Sequence, residues 1–463
     1  MNLSLSNKYA APLTVLFCVM VAYGILAISP VLEKNLLFLF ALPLVGLLMA
    51  LLVYSPRLFL VALILTRGLL DPLLDMTRLD FAGGNMGAGA LLNLLPIILA
   101  VFLIIKRPHV LGTQAAGKSW LIFLSVCLAS VFISPVPGTG VRMFLNLLTY
   151  FCMFVIPYYF VEKEGDREYW LRILLISSFA VALFAFVDLF SGGSYYSDAG
   201  VRIKGTFSHP NILAFYLVLA IAITFYILKS DQAGLTTGKR FLLNIFMVTL
   251  LFLVVATMTR NAWIACFLMF AFYGVTAERK YLLFICFIPL LPLLSPQISD
   301  RVSEIIARHS SFSSNRLDSM TWRVEMWKSA LLSAKQNILL GHGLASFKEF
   351  SVRFFEAGRT GAAAHNVYLQ LLFETGICGL AAFLAVFFTI GRTVIGKIKS
   401  DHVPSRRGQV ILTGYLLGYL VVSFADNVLD YLAFNWYFWF FIGIMTAPIR
   451  TTHDENLDNH SII

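Results

Sequence analysis

The sequence predicts an all-α polytopic membrane protein, and three observations carry that reading. Hydrophobic residues make up 59% of the 463 and charged ones only 13%. The apolar residues fall into blocks of about 15 to 22 separated by short polar breaks, the length a helix needs to cross a hydrocarbon core of about 30 Å. Lys and Arg gather in alternate short breaks, as they do in the loops of multi-pass proteins.

Taken in order, the blocks lie near 11–28, 35–54, 57–71, 86–105, 119–134, 141–161, 169–190, 210–228, 240–258, 261–275, 281–296, 366–390, 409–426 and 431–449. Two are short, so roughly 12–14 transmembrane helices are expected. The first block is followed at once by others and reads as a span rather than a cleaved leader. Placing both termini in the cytoplasm makes Lys106, Arg107, Lys118, Lys229, Arg240, Arg279, Lys280, Arg392, Lys397 and Arg407 cytoplasmic. This inside bias, beside anionic lipid, absorbs most of the net charge of +10 and removes the need for a nucleic-acid partner. The six cysteines all sit inside apolar runs and form neither a disulfide framework nor a zinc spacing.

The chain divides into residues 1–190, N-terminal spans; 191–296, central spans with arginine-bearing outer loops; 297–365, an outer loop domain; 366–450, C-terminal spans; and 451–463, a polar tail. In the first part Arg67, Asp71 and Asp75 punctuate the third span, and they either line a cavity or mark its outer end. The outer loop from Ser191 to Asn211 carries Tyr195 and Tyr196, suited to an interfacial belt or to sugar stacking, and then Arg202 and Lys204, which run against the inside bias and leave room for an anionic ligand. Pro210 suits the first turn of the next helix. Arg260 stands where the apolar run from Phe241 to Val275 must turn, and there it either snorkels to headgroups or faces inward to hold a phosphate.

Apolar blocks stop between 297 and 364, the one sizeable extramembrane segment. Asn315 suits an N-cap, and Met320, Val324, Trp327 and Leu331 follow at helical steps as one apolar stripe, with Arg316 and Arg323 along its border and Asp318 and Glu325 on the far side. Phe347, Phe350 and Phe354 predict a second short amphipathic helix. A small-residue loop then delivers His365 to the mouth of the next span, with Glu374 roughly two and a half turns further in. Glu374 reads either as a site residue or as a buried partner that orients His365 or pins two helices. Asp426, Asn427 and Asp430 occupy the last outer turn.

Several motifs stand in a fixed order: Gly-Thr-Phe-Ser-His-Pro-Asn at 205–211, Thr259-Arg260, Trp322-Arg323 with Trp327, Gly341-His342-Gly343 followed by Phe347, and His365-Asn366 with Glu374-Thr375-Gly376. Together they resemble the O-antigen ligase and O-antigen polymerase superfamily of bacterial membrane glycosyltransferases, which includes exopolysaccharide and capsule polymerases. The resemblance covers about residues 205–380; the N-terminal half adds only span count. It implies a GT-C-like fold and metal-independent inverting glycosyl transfer on the periplasmic face of the bacterial inner membrane, without a cofactor. The implied donor is an oligosaccharide or polysaccharide on undecaprenyl diphosphate, the acceptor a glycan or lipid A-core, and further partners are membrane lipids and a chain-length regulator. By motif position Arg260 and Arg323 correspond to the family's diphosphate-binding arginines and His365 to its base. Arg316, Arg202 and Glu374 are secondary candidates, and His342 takes no family role.

The chemistry of these side chains agrees with that reading. Diphosphate departing from an anomeric carbon needs its growing charge met, and the outer segment shows no Asp-X-Asp pair or His cluster for a metal. Arginine is the alternative, because its planar fork bonds two phosphate oxygens and stays protonated. An attacking hydroxyl needs a base ready near neutral pH, and imidazole, with an ordinary pKa of about 6.5, is suited to it. Two rivals remain: a lipid-linked sugar transporter, which would keep polar groups near the bilayer midplane, and a scaffold tolerant of losing Arg260 and Arg323.

Overall fold

A computed structural model describes residues 46, 50–76, 79–81, 84–86, 88–197, 200–230, 234–283, 319–355, 361–400 and 403–449. Its helices are α1 (Pro56–Met76), α2 (Ala88–Lys106), α3 (Gly117–Phe132), α4 (Pro137–Val155), α5 (Glu164–Phe190), α6 (Pro210–Lys229), α7 (Thr237–Ala256), α8 (Arg260–Thr276), α9 (Ser319–Ala334), α10 (Phe347–Phe354), α11 (Val367–Ser400), α12 (Val403–Val422) and α13 (Leu432–Thr446). Two short antiparallel hairpins are the exceptions among the described residues: β1 (Leu79–Phe81) with β2 (Gly84–Met86), and β3 (Tyr195–Ser197) with β4 (Gly200–Arg202). The protein is an all-α polytopic membrane protein.

Five described helical stretches, Pro137–Tyr159, Glu164–Phe190, Pro210–Lys229, Thr237–Ala256 and Val367–Ile398, are long and apolar enough to cross a membrane on length and composition alone, and Leu92–Lys106, Gly117–Phe132 and Leu432–Thr446 are shorter apolar helices. The expected span 11–28, and most of 35–54 and 281–296, lie outside the described residues. The expected short span 57–71 is longer than its apolar run: α1 continues past Arg67 and Asp71, which pair one turn apart, with the Arg67 guanidinium 5.2 Å from the Trp436 ring centroid. Pairing within the helix meets the charge that would otherwise end it.

Burial sorts the helices into a centre and a rim. Nearly every residue of α6 and of α13 is buried, as befits helices that are apolar all round. On α5 and α7 large apolar side chains such as Phe179, Leu183, Phe241 and Val248 face outward, the inverse of a water-soluble surface. Trp120 and Trp439 meet edge to face at 4.6 Å in the centre.

The two ends of the bundle differ in charge. At one end Lys397 donates to the carbonyls of Met445, Thr446 and Ala447, Lys229 and Lys280 bond Glu278, and Arg57 and Arg167 meet Asp166 and Glu164. The opposite end carries β3–β4, the α7–α8 turn, α9, α10 and the α12–α13 connection. Asp188 ties β3–β4 down there by accepting from the Lys204 and Gly205 N–H groups and the Ser194 hydroxyl.

Helices α9 and α10 form where the outer segment was expected to be helical, but the stripe on α9 is rotated. Met326, Ala330 and Ala334 are buried against α10, α11 and the 361–364 loop, whereas Leu331 is 46% exposed. Small residues let the backbones approach, so the contact face follows alanines rather than the largest side chains. Asn315, Arg316 and Asp318 lie outside the described residues.

Helix α11 is broken at Gly376, whose φ of 66° and ψ of −169° belong to a region only glycine occupies readily. The break is filled by the segment before α10. His342 N–H and Gly343 N–H donate to the carbonyls of Phe373 and Glu374, and Ile377 N–H donates to Ile338. A Cβ on Gly341 would collide with the Glu374 backbone, one on Gly376 with Leu339, and one on Gly343 with Ser134 of the α3–α4 turn. The Gly-His-Gly and Glu-Thr-Gly motifs are thus two halves of one backbone crossing. Gly376→Ala is expected to cost about 1–3 kcal/mol from backbone strain alone, before any clash. It should lower the thermal midpoint of the detergent-purified protein, while Gly391→Ala, which meets nothing within 4 Å, leaves it in place.

Candidate active site

His365 is delivered by a tightly held turn. The loop before it is anchored by Trp327 Nε1–H donating to Ala364 O at 2.8 Å. After it, Asn366 N–H donates to Asn427 Oδ1 at 2.8 Å, and Val367 N–H donates to Ser423 O. The Asn366 side chain caps α11 by accepting from Leu369 N–H. Between these anchors His365 adopts φ 48°, a left-handed conformation that is strained for a residue with a side chain. Bonds on both sides hold it, with the half-buried ring 6.3 Å from Trp322.

Asp426 stands at the centre of the surrounding groups. Its buried carboxylate accepts from Asn211 Nδ2 at 3.1 Å, Asn261 Nδ2 at 3.3 Å, the Tyr431 hydroxyl at 2.5 Å and the Asn427 N–H at 3.0 Å. Asn211 opens α6, Asn261 lies in the first turn of α8, and Tyr431 precedes α13, so one carboxylate joins three helix N-termini. Arg323 reaches the same place from α9, donating to Ala425 O at 2.9 Å, and Asn261 donates to that carbonyl as well. Arg260, half-buried, is the first residue of α8, between Thr259 and Asn261. Arg202 is buried and brackets the loops: it donates to Thr257 O, Thr259 Oγ1 and Asn211 Oδ1.

Two histidines share this electrostatic field. Burial pushes the His365 imidazole below its ordinary value; the Arg323 guanidinium pushes it further, and Asp426 opposes both. His209 is lowered by burial, by Arg202 and by His365, again against Asp426. Its Nδ1 accepts from Asn211 N–H, which leaves the ring proton on Nε2, and its ring lies 4.9 Å from that of Tyr195. A neutral imidazole therefore stands among cationic groups, ready to accept a proton.

Glu374 and His342 lie at the backbone crossing. The buried Glu374 carboxylate accepts from Ala345 N–H, Phe347 N–H and Gln370 Nε2, holding the start of α10. His342 bonds Ser333 O and Asn337 and stacks on Phe373 at 4.5 Å.

A family model described as O-Antigen ligase matches residues 245–384, from α7 through the break in α11. A protein named O-antigen polymerase, from Salmonella muenchen, is 23% identical over 406 residues, which is 84% of this chain and 93% of that protein. The chain is thus similar to O-antigen ligases over residues 245–384 and to an O-antigen polymerase over most of its length.

The matched region holds Arg260, Arg323, His365 and Glu374 but stops short of Asp426. The sequence places Asp426 in the last outer turn without a role, and Asn261 and Tyr431 are not among its candidate residues. The available signal was an Asp-Asn pair at the mouth of a span, where charge needs a partner. Asp426→Asn removes the influence that raises the His365 pKa, so the acid limb of kcat/KM should move to lower pH. Arg323→Gln removes one that lowers it and should move the limb upward. A pH–rate series on the purified variants reads both directions.

Proposed function

We propose that the protein is a metal-independent inverting glycosyltransferase that joins a polyprenyl-diphosphate-linked glycan to a sugar hydroxyl. The observation that carries this reading is the convergence on the Ala425–Asn427 connection, where Arg323 and Asn261, the residue after Arg260, donate to Ala425 O and Asn366, the residue after His365, donates to Asn427. The acceptor oxygen bonds the anomeric carbon as the bond from that carbon to the diphosphate oxygen breaks. The electron pair leaves on the phosphate, and the hydroxyl proton passes to His365, which later releases it to water. Arg260 and Arg323 meet the charge that grows on the leaving diphosphate. Because the same positive field lowers the pKa of the base, leaving-group stabilisation and base readiness reinforce each other.

The basic end of the bundle belongs in the cytoplasm by the inside bias, which puts His365 on the periplasmic side of a bacterial inner membrane. An undecaprenyl carrier fits that placement: its tail would lie in the bilayer and its diphosphate at the arginines. Exposed Leu331, Leu332, Leu339 and Leu340 give the outer helices an apolar flank beside the lipid. Polymerisation of exopolysaccharide, capsule or O-antigen units is the leading activity, supported by the relative named O-antigen polymerase. Ligation of finished polymer to lipid A-core is the second, supported by the family description O-Antigen ligase. Transport of lipid-linked sugars is disfavoured, since Arg202, Arg260, Arg323 and His365 gather at one end of the bundle.

His365→Ala should reduce transfer by about 10²–10⁴-fold with donor binding retained, whereas Arg260→Ala and Arg323→Ala should weaken donor binding. Purified protein given lipid-linked donor alone should extend it into a ladder. Strict dependence on added lipid A-core would instead assign the ligase activity.

A further inference from the structure

A concavity lies beside the turn that carries His365. It has a volume of about 260 Å³ and opens between the start of α4, α10 and the α12–α13 connection. Ala363 and Ala364, the two residues before His365, form one wall; Asn427, the residue after Asp426, forms another. Its polar groups are Asn146 and Gln370 with the carboxylates of Glu374 and Asp430, and Arg142 and Lys348 stand exposed at the border.

The lining sets this cavity apart from the arginine cluster, since Arg202, Arg260 and Arg323 take no part in it. Its two cations, Arg142 and Lys348, stand at the exposed rim, whereas the side-chain amides and carboxyl groups inside suit the hydroxyls of a sugar. The volume admits one sugar ring, and the alanines of the wall allow it to approach the backbone. The cavity is also wired to the base: Asp430 accepts from Asn427 Nδ2 at 3.2 Å, and Asn427 Oδ1 accepts from Asn366 N–H, next to His365. Tyr150 of α4 donates to Leu429 O, so the walls are joined to each other.

We propose that this cavity binds the acceptor sugar ring whose hydroxyl attacks, so that acceptor and leaving diphosphate occupy different sides of His365. The proposal rests on the glycosyltransferase reading above and names the second substrate's place in it. In-line displacement requires nucleophile and leaving group on opposite faces of the anomeric carbon, and a base on the nucleophile's side. Asn146 and Asp430 act here on acceptor binding, through hydroxyl contacts rather than through the proton transfer.

The test uses full-length protein in nanodiscs, with lipid-diphosphate-linked repeat unit extracted from the producing cells as donor. Two acceptor probes are offered: repeat-unit oligosaccharide released from the same extract by mild acid, and lipid A-core. For whichever probe the unaltered protein glycosylates, Asn146→Leu should raise the acceptor KM about tenfold or more, and Lys348→Ala, at the exposed rim, should raise it less. Donor affinity, measured separately by binding of undecaprenyl diphosphate, should hold in both. An unchanged acceptor KM in Asn146→Leu overturns the subsite, as does a loss of donor affinity equal to the rise in KM. Failure of the unaltered protein to glycosylate either probe would instead overturn the glycosyltransferase mechanism on which the subsite depends.

Discussion

The carboxylate of Asp426 is the interaction on which the outer end of the bundle depends. Four donors converge on it from the starts of α6 and α8 and from the α12–α13 connection. A buried carboxylate is costly unless its lone pairs are filled, and here Asn211, Asn261, Tyr431 and the Asn427 amide fill them. The consequence is mechanical and electrical together. Three helix N-termini are fixed around one negative point, and the cationic groups Arg202 and Arg323 are placed against the same connection, through Asn211 and Ala425 respectively. His365 feels both signs, and burial with Arg323 outweighs Asp426, which keeps the ring basic but unprotonated.

A second constraint holds this arrangement at a fixed height. The crossing of the Gly341–Gly343 segment over the break at Gly376 satisfies carbonyls that an uninterrupted helix would have used internally. It also brings Glu374 under the start of α10, where its carboxylate takes up backbone donors. Glu374 therefore supports the outer helices that carry Arg323 and frame His365. Its burial, read from the sequence as either a site role or a pin between helices, serves the pin, and the same side chain borders the cavity beside the base.

The spans were legible because the hydrocarbon core imposes a length on apolar blocks, and α2 to α8 begin and end within a few residues of those blocks. His365 and Arg260 stood out in the sequence because each is a costly residue at a helix mouth, and Arg323 because it borders an apolar stripe. Asp426 was not, since its partners lie as far as 215 residues away in the chain and each is an ordinary loop residue by itself. The stripe on α9 was misread because Ala330 and Ala334 carry the contact without bulk. Gly376 was visible as a glycine, but its partner segment is set by tertiary crossing rather than by any local pattern. The left-handed turn at His365 likewise has no local signature, because a histidine does not announce positive φ.

The central claim is that one imidazole and two guanidinium groups serve a single diphosphate. The most direct measurement is a cryo-electron microscopy map of the protein in nanodiscs with undecaprenyl diphosphate bound. The account predicts diphosphate density within hydrogen-bond distance of both Arg260 and Arg323, with the His365 ring facing the phosphate-bearing end of the lipid. Density at any other place on the bundle, or a His365 ring turned away from it toward lipid, would contradict the account.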